Sequence, residues 1–60
     1  SIYVIRDIEA GEQLTENNVG IIRPGFGLAP KYLPDIIGCA AKQRLTKGKA
    51  LKWSDIKQNQ

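Results

Sequence analysis

The stretch that decides the fold reads Ile8-Glu9-Ala10-Gly11-Glu12-Gln13-Leu14-Thr15-Glu16-Asn17-Asn18-Val19. Its pattern returns 37 residues later as Leu45-Thr46-Lys47-Gly48-Lys49-Ala50-Leu51-Lys52-Trp53-Ser54-Asp55-Ile56. Both stretches hold an aliphatic residue, a glycine three positions on, a leucine three positions after that, and a polar–aliphatic pair at the end. A recurrence of this kind predicts two similar half-units within one small domain.

Each half-unit is predicted to contain a strand, a glycine-bearing turn, a second short strand and a polar-capped turn that returns an aliphatic residue to the core. The two halves should pack about a pseudo-twofold axis. We therefore expect a mostly β fold of short strands and short 3-10 or helical turns, with no continuous sheet. Six aliphatic residues of the repeat should form much of its centre: Ile8, Leu14, Val19, Leu45, Leu51 and Ile56.

The residues around the repeat predict further short elements. The β-branched and aromatic opening, 1–5, favours a strand. Thr15 is typical of the N-cap of a brief helical turn through Val19. Pro34 is placed to start a one-turn helix that Gly38 ends, and 40–44 should be extended. The domain should cover 1–57, with a frayed tail over 58–60.

Length and composition limit the chemistry. Sixty residues allow one small domain, and the chain has no histidine and a single cysteine. Imidazole acid/base catalysis, histidine-based metal sites and internal disulfides are therefore excluded, and we expect no catalytic residue and no metal site here. Cys39 lies among small residues and should be a small buried hydrophobe.

The charge is uneven along the chain. Residues 1–30 carry a net −2 and residues 31–60 a net +5. A basic half could bind a polyanion, but it is more often a solvated face, so neither nucleic acid nor membrane is an expected partner. No apolar run approaches a membrane span and no signal-peptide pattern opens the chain, which favours a soluble, cytoplasmic protein.

Four stretches together resemble one known family. They are Val4-x-x-Asp7-Ile8-x-x-Gly11-x-x-Leu14-Thr15-x-x-Asn18, Arg23-Pro24-Gly25-x-Gly27-Leu28, Pro30-Lys31-Tyr32-Leu33 and Ile37-Gly38-x-x-Ala41. The chain resembles the C-terminal SAF, or antifreeze-like, domain of the sialic acid synthases and of their pseudaminic, legionaminic and spore coat polysaccharide relatives. The second and third stretches are the more specific ones, because the glycine-turn repeat also occurs in other SAF domains.

The resemblance implies a β-clip, or pretzel-like, fold and a missing partner domain. In this family a TIM barrel binds phosphoenolpyruvate and Mn²⁺ or Mg²⁺, whereas the SAF domain itself needs no cofactor. The enzyme is a domain-swapped homodimer in which each SAF domain covers the barrel of the other subunit. The family's arginine in the Arg-Pro-Gly motif contacts the N-acetylmannosamine-type substrate, and this role falls on Arg23.

The loop sequence is compatible with that role. Pro24 favours an extended Arg23, while Gly25 and Gly27 permit positive φ, so the loop can turn tightly and present one long side chain. A guanidinium offers a fixed fork of donors to a carbonyl or carboxylate. The alternative is an arginine that is ion-paired to a neighbouring acid or solvated. Phe26 would cap the substrate, pack on the barrel rim or simply be an exposed loop aromatic.

The remaining residues carry structural expectations. Tyr32 and Leu33 should pack under the loop, and Lys31 should be solvated. Trp53 should lie in the core with its indole N–H on a carbonyl.

A stand-alone binding module is the alternative function, with ice or a polyanion as its ligand. Fish type III antifreeze proteins share the fold, but their ice-binding faces are flat and mostly uncharged. The first half-unit here instead carries five charged residues: Arg6, Asp7, Glu9, Glu12 and Glu16.

Overall fold

The computed structural model describes residues 1–23 and 25–57. The strands are short: β1 is Ile2–Val4, β2 is Val19–Ile21, β3 is Ala40–Ala41 and β4 is Ile56–Lys57. One α-helix, α1, spans Leu33–Ile36, and 3-10 helices span Pro30–Tyr32 and Trp53–Asp55. The prediction of a mostly β fold of short strands and short turns is confirmed.

The two small sheets have the same antiparallel pairing at equivalent positions of the repeat. Strand β1 pairs antiparallel with β2, and β3 pairs antiparallel with β4. Val4 stands opposite Val19, and 37 residues later Ala41 stands opposite Ile56. We call residues 1–20 the first half-unit, residues 38–57 the second half-unit and residues 21–37 the connector.

The half-units meet on a pseudo-twofold axis at Ile8 and Leu45. Each of these residues donates its backbone N–H to the carbonyl of the other, and both N···O distances are 2.8 Å. Two further bridges flank this one symmetrically, Tyr3 to Ala50 and Gln13 to Ala40. Each half-unit therefore supplies backbone partners to the other, and neither half completes its hydrogen bonding alone.

Glycines make the equivalent turns, as the repeat predicted. Gly11 has φ +85° and Gly48 has φ +95°, a region that residues with a Cβ seldom enter. The Gly11 N–H donates to the Ala41 carbonyl and the Gly48 N–H to the Val4 carbonyl, both at 2.8 Å. The donors and the acceptors are each 37 residues apart, so the turns occupy equivalent places.

The core contains all six aliphatic residues that the repeat predicted. Each of them is at most 3% exposed, and burying an aliphatic side chain of this size contributes about 1.5–3 kcal/mol. Ile36 of α1 is the connector's buried contribution. Pro34 lies in the first turn of α1 and Gly38, at φ +93°, follows its end, so the predicted one-turn helix is confirmed.

Two local predictions need correction. Within 40–44, which was predicted to be extended, only Ala40–Ala41 forms a strand, and the backbone bends at 42–43. The short β4 pairs with those two residues alone. Trp53 is 39% exposed, and its ring centroid lies 5.2 Å from that of Tyr32 in an edge-on arrangement. Its position is equivalent to that of the exposed Glu16, on the outer side of the turn, which explains why the core prediction was wrong.

Cys39 was predicted to be buried and is half-buried. It packs against the core, as the half-buried Tyr32 and Leu33 do. Within 1–23 and 25–57, no helix is long and apolar enough to cross a membrane. The predicted frayed tail, 58–60, lies outside the described residues.

Candidate functional site

The candidate site is the loop formed by residues 22–23 and 25–28, which we call the Arg23 loop. Both of its ends are hydrogen-bonded to the start of the chain. The Ile22 N–H donates to the Ser1 carbonyl at 2.8 Å, and the Ser1 nitrogen donates to the Ile22 carbonyl at 2.9 Å. At the other end, the Leu28 carbonyl accepts from Ile2 N–H at 2.8 Å. These bonds give the loop a fixed base.

Leu28 also ties the loop to the second half-unit. Its N–H donates to the Leu51 carbonyl at 2.9 Å, and the Leu51 N–H in turn donates to the Ile2 carbonyl at 2.9 Å. The loop therefore ends in a backbone network that includes both half-units. A shift of the loop base would break bonds in each of them.

The two glycines of the loop lie where no Cβ fits. Gly27 does not adopt positive φ, so the prediction was wrong at that position. The φ of Gly25 depends on Pro24, which lies outside the described residues, so a positive φ at Gly25 stays a prediction.

The space around each loop glycine is closed by different atoms. At Gly25 a Cβ would lie 2.5 Å from Tyr3 Cε1 and 2.7 Å from Ser1 Cβ. At Gly27 it would collide with the Ile2 carbonyl oxygen and lie 3.0 Å from the Leu51 nitrogen. Close approach of the loop to the first strand therefore requires both glycines. Pro24 lies outside the described residues, so its predicted effect on Arg23 stays a prediction.

The side chain of Tyr3 supports the loop from below. Its hydroxyl accepts the Phe26 N–H at an N···O distance of 3.1 Å. Tyr3 itself is half-buried and lies in the centre of β1, where its backbone is opposite Gly20. Sequence reasoning did not select this residue.

The loop presents Arg23 and Phe26 to solvent. Phe26 is 92% exposed, the most exposed large hydrophobic residue described, and Arg23 is exposed as well. In the described part of the chain the ion pairs involve Arg44 and Lys49, and none involves Arg23. The arrangement is a fixed base that carries a guanidinium and an aromatic ring outward, which suits contact with another molecule.

A polar cluster around the buried Asp55 was also missed by sequence reasoning. Asp55, only 2% exposed, accepts from Lys49 Nζ at 2.6 Å, Lys52 N–H at 3.0 Å and Gln43 Nε2 at 3.2 Å. The repeat predicted a polar residue at this position but gave no sign of its lysine partner. The cluster is satisfied within the domain, so we assign it to stability.

Over 1–23 and 25–57, no group of three or more histidine, cysteine, aspartate or glutamate side chains is arranged to hold a metal ion. The Cys39 thiol lies 3.5 Å from the Asp35 carbonyl oxygen. The Arg23 loop itself presents an exposed cation and an exposed aromatic ring.

Comparison with known proteins shows the family of the chain. The family model of the SAF domain matches residues 1–57. This chain belongs to the SAF domain family. The resemblance drawn from the four sequence stretches is thereby confirmed, and with it the small β fold.

The SAF domain is similar to part of several longer curated proteins. It is 42% identical over 59 residues to the pseudaminic acid synthase of Helicobacter pylori, which covers 98% of the chain. It is 42% identical over 57 residues to that of Campylobacter jejuni, covering 95% of the chain. The N,N'-diacetyllegionaminic acid synthase of Legionella pneumophila is 34% identical over 56 residues, covering 93% of the chain. The chain spans only 16–17% of the length of these relatives.

Proposed function

We propose that this SAF domain is the C-terminal, substrate-capping and dimer-forming part of a phosphoenolpyruvate-dependent synthase of a nine-carbon sugar acid. One observation carries the proposal: the chain matches sugar-acid synthases over nearly all of its length. The exposed arginine on a loop with a fixed base fits a capping role. The domain supplies binding and shielding, while the catalytic groups lie in the rest of the protein.

The chemistry of the parent enzyme is proposed from the same family. In a TIM barrel, the methylene carbon of phosphoenolpyruvate would form a carbon–carbon bond to the aldehyde carbon of an amino sugar, whose oxygen takes up a proton. Water would add at the enol carbon, and inorganic phosphate would leave to give the keto acid. Mn²⁺ or Mg²⁺ bound in that barrel would act as the Lewis acid. TIM barrels place their active sites at the mouth formed by the loops after the strands, so a cap over the mouth would enclose the amino sugar beside phosphoenolpyruvate.

Arg23 would bind the amino sugar. A guanidinium stays charged at any working pH and its planar fork matches a carbonyl oxygen, such as that of an N-acetyl group. Phe26 stands three residues further along the same loop and is 92% exposed, so it would cover the sugar or the barrel rim beside it. Because the loop base is fixed, little backbone freedom would be lost when the two side chains bind.

The substrate is proposed to be a diamino sugar of the N-acetylmannosamine type. The sequence alone left open whether the parent uses N-acetylmannosamine or a diamino relative. The two pseudaminic acid synthases are 42% identical to this domain, and the third relative carries "N,N'-diacetyl" in its name. These similarities favour the diamino class.

The proposed partner is the barrel of the other subunit in a domain-swapped homodimer, in the cytoplasm. A stand-alone ice- or polyanion-binding role has less support. Asp7 and Glu9 are exposed on the first half-unit, and such charges hold water in their own hydration shells. Arg44 of the basic half is already paired with both of them.

The Arg23→Ala variant of the full-length protein tests the proposal. A charge-assisted hydrogen bond contributes about 1.5–3 kcal/mol, so kcat/KM for the amino sugar should fall about tenfold to a hundredfold. The KM for phosphoenolpyruvate should stay unchanged. Arg6→Ala is the matched control, because Arg6 is also an exposed arginine but lies outside the Arg23 loop. Unchanged kcat/KM in Arg23→Ala would contradict the role of Arg23.

The same variant tests the swapped dimer. Arg23→Ala chains are mixed and reassembled with chains whose barrel has been inactivated. In a swapped heterodimer one active site combines an intact barrel with an intact SAF domain, so activity should return. Without a swap, the intact barrel keeps its own Arg23→Ala domain and activity stays low.

A further inference from the structure

We infer that Tyr3 is a positioning residue for substrate binding, because it holds the Arg23 loop in the orientation that presents Arg23 and Phe26. The inference rests on the proposed function and adds to it a residue that neither sequence motifs nor family similarity selected. Tyr3 does not touch substrate itself.

Tyr3 meets the loop at two points. Its hydroxyl accepts the Phe26 N–H at 3.1 Å, next to the most exposed side chain of the loop. Its ring lies under Gly25, where a Cβ would come within 2.5 Å of Tyr3 Cε1. The ring under Gly25 fixes the height of the loop above β1, and the hydrogen bond to the hydroxyl fixes the direction of the Phe26 peptide.

Comparison of equivalent positions in the two half-units distinguishes this role from a purely structural one. The residue equivalent to Tyr3 in the second half-unit is Ala40, 37 positions later. Tyr3 pairs with Gly20 and bridges to Ala50, and Ala40 pairs with Lys57 and bridges to Gln13. The scaffold therefore accepts alanine at this place. The tyrosine occurs in the half-unit over which the Arg23 loop passes.

The hydroxyl contributes more to loop orientation than to stability. The Phe26 N–H···Oη hydrogen bond is exposed to solvent, so water can replace the hydroxyl when it is removed. Tyr3→Phe keeps the ring under Gly25 and removes only the acceptor. The fold should hold, while the loop loses its fixed direction.

The test is Tyr3→Phe in the full-length protein, with Tyr32→Phe as the matched control. Loss of one hydrogen bond should raise KM for the amino sugar about threefold to tenfold, with KM for phosphoenolpyruvate and the melting temperature unchanged. Amide exchange of Phe26, followed by mass spectrometry, should become faster. Tyr32 is half-buried and, in the described part of the chain, its hydroxyl makes no hydrogen bond to the loop, so its variant should behave as wild type.

A combined variant links Tyr3 to the two side chains that the loop presents. If Tyr3 acts through Arg23 and Phe26, then Tyr3→Phe should add little to the loss already caused by Arg23→Ala together with Phe26→Ala. Fully additive losses, or normal kinetics in Tyr3→Phe where Arg23→Ala is impaired, would overturn the positioning role and leave the proposed function intact. Normal kinetics in Arg23→Ala would overturn the proposed function. In that case faster exchange at Phe26 would still support loop positioning by Tyr3, and unchanged exchange would overturn it.

Discussion

The two half-units make equivalent backbone hydrogen bonds but have different polar networks. In the first, Asn18 Oδ1 accepts the Thr15 N–H at 2.8 Å, and in the second, Asp55 Oδ2 accepts the Lys52 N–H at 3.0 Å. These acceptors and donors are each 37 residues apart. Each bond satisfies a backbone donor at the start of the turn that returns to the core. The backbone requires only a side-chain oxygen at this position, and either residue supplies it.

The remaining polar atoms of the two residues have opposite character. Asn18 Nδ2 donates to the Gln13 carbonyl at 3.0 Å and approaches Glu12 Oε2 at 3.5 Å. Asp55 instead accepts from Lys49, and position 49 is the equivalent of position 12. Donor and acceptor have exchanged places between the halves. The comparison shows that backbone symmetry fixes where a polar pair lies, while the side chains decide its charge.

This difference predicts that truncation to alanine lowers the unfolding free energy by unequal amounts at positions 55 and 18. It gives the largest expected effect. Asp55→Ala leaves the Lys49 ammonium without its partner and removes the acceptors of two other donors, so unfolding free energy should fall by about 3 kcal/mol. Asn18→Ala removes two hydrogen bonds to backbone groups and one long contact with the exposed Glu12 carboxylate, and it should cost about 1–2 kcal/mol. Urea unfolding of the two variants measures both values. Equal costs would show that the charge of the Lys49 pair contributes nothing.

The Asp55→Asn variant is the matched control. It gives the second half-unit the residue that the first uses, and it retains an oxygen for the Lys52 N–H. Its cost should fall between wild type and Asp55→Ala. A cost as large as that of Asp55→Ala would show that the amide cannot replace the carboxylate as a backbone cap.

The glycine turns test the backbone symmetry itself, with the next largest effect. Alanine at φ near +90° is strained whatever space surrounds it, and the left-handed region costs about 1–2 kcal/mol for a residue with a Cβ. Gly11→Ala and Gly48→Ala should therefore each lower stability by about that amount, and by nearly equal amounts, since their φ values are +85° and +95°. Lys47→Ala is the control, because it changes a residue beside Gly48 in the second turn that does not have positive φ. A clear difference between the two glycine variants would break the equivalence of the halves.

Local pattern was sufficient to predict the fold. Aliphatic spacing, a turn glycine and a polar cap are properties of a dozen consecutive residues, and their recurrence predicted the six core residues and the pseudo-twofold. Trp53 was misplaced because a large aromatic residue was assumed to be buried. Comparison with Glu16, its equivalent in the first half, would have placed it outside.

The site was only partly predictable, because its geometry depends on distant residues. The Arg-Pro-Gly motif predicts a substrate contact at Arg23, and the structure shows that this residue is exposed, while the contact itself stays a prediction. The reason for Gly25 and Gly27 could not be read from sequence, since it lies in contacts with residues 1–3 and 51. Tyr3 left one signal, the contrast with Ala40 in the repeat, which becomes informative once the path of the loop is known.

The smallest effect should come from the ion pairs between the half-units. Arg44 lies 3.6 Å from Asp7 and 3.3 Å from Glu9, with its side chain 54% exposed. Exposed pairs contribute little, so Arg44→Ala should cost under about 1 kcal/mol and should lose that cost in about 1 M salt. Urea unfolding at low and high salt measures it, with Arg6→Ala as the control. A cost that persists at high salt would mean that Arg44 holds the halves together by packing of its stem, since screening removes the charge contribution but leaves apolar contacts in place.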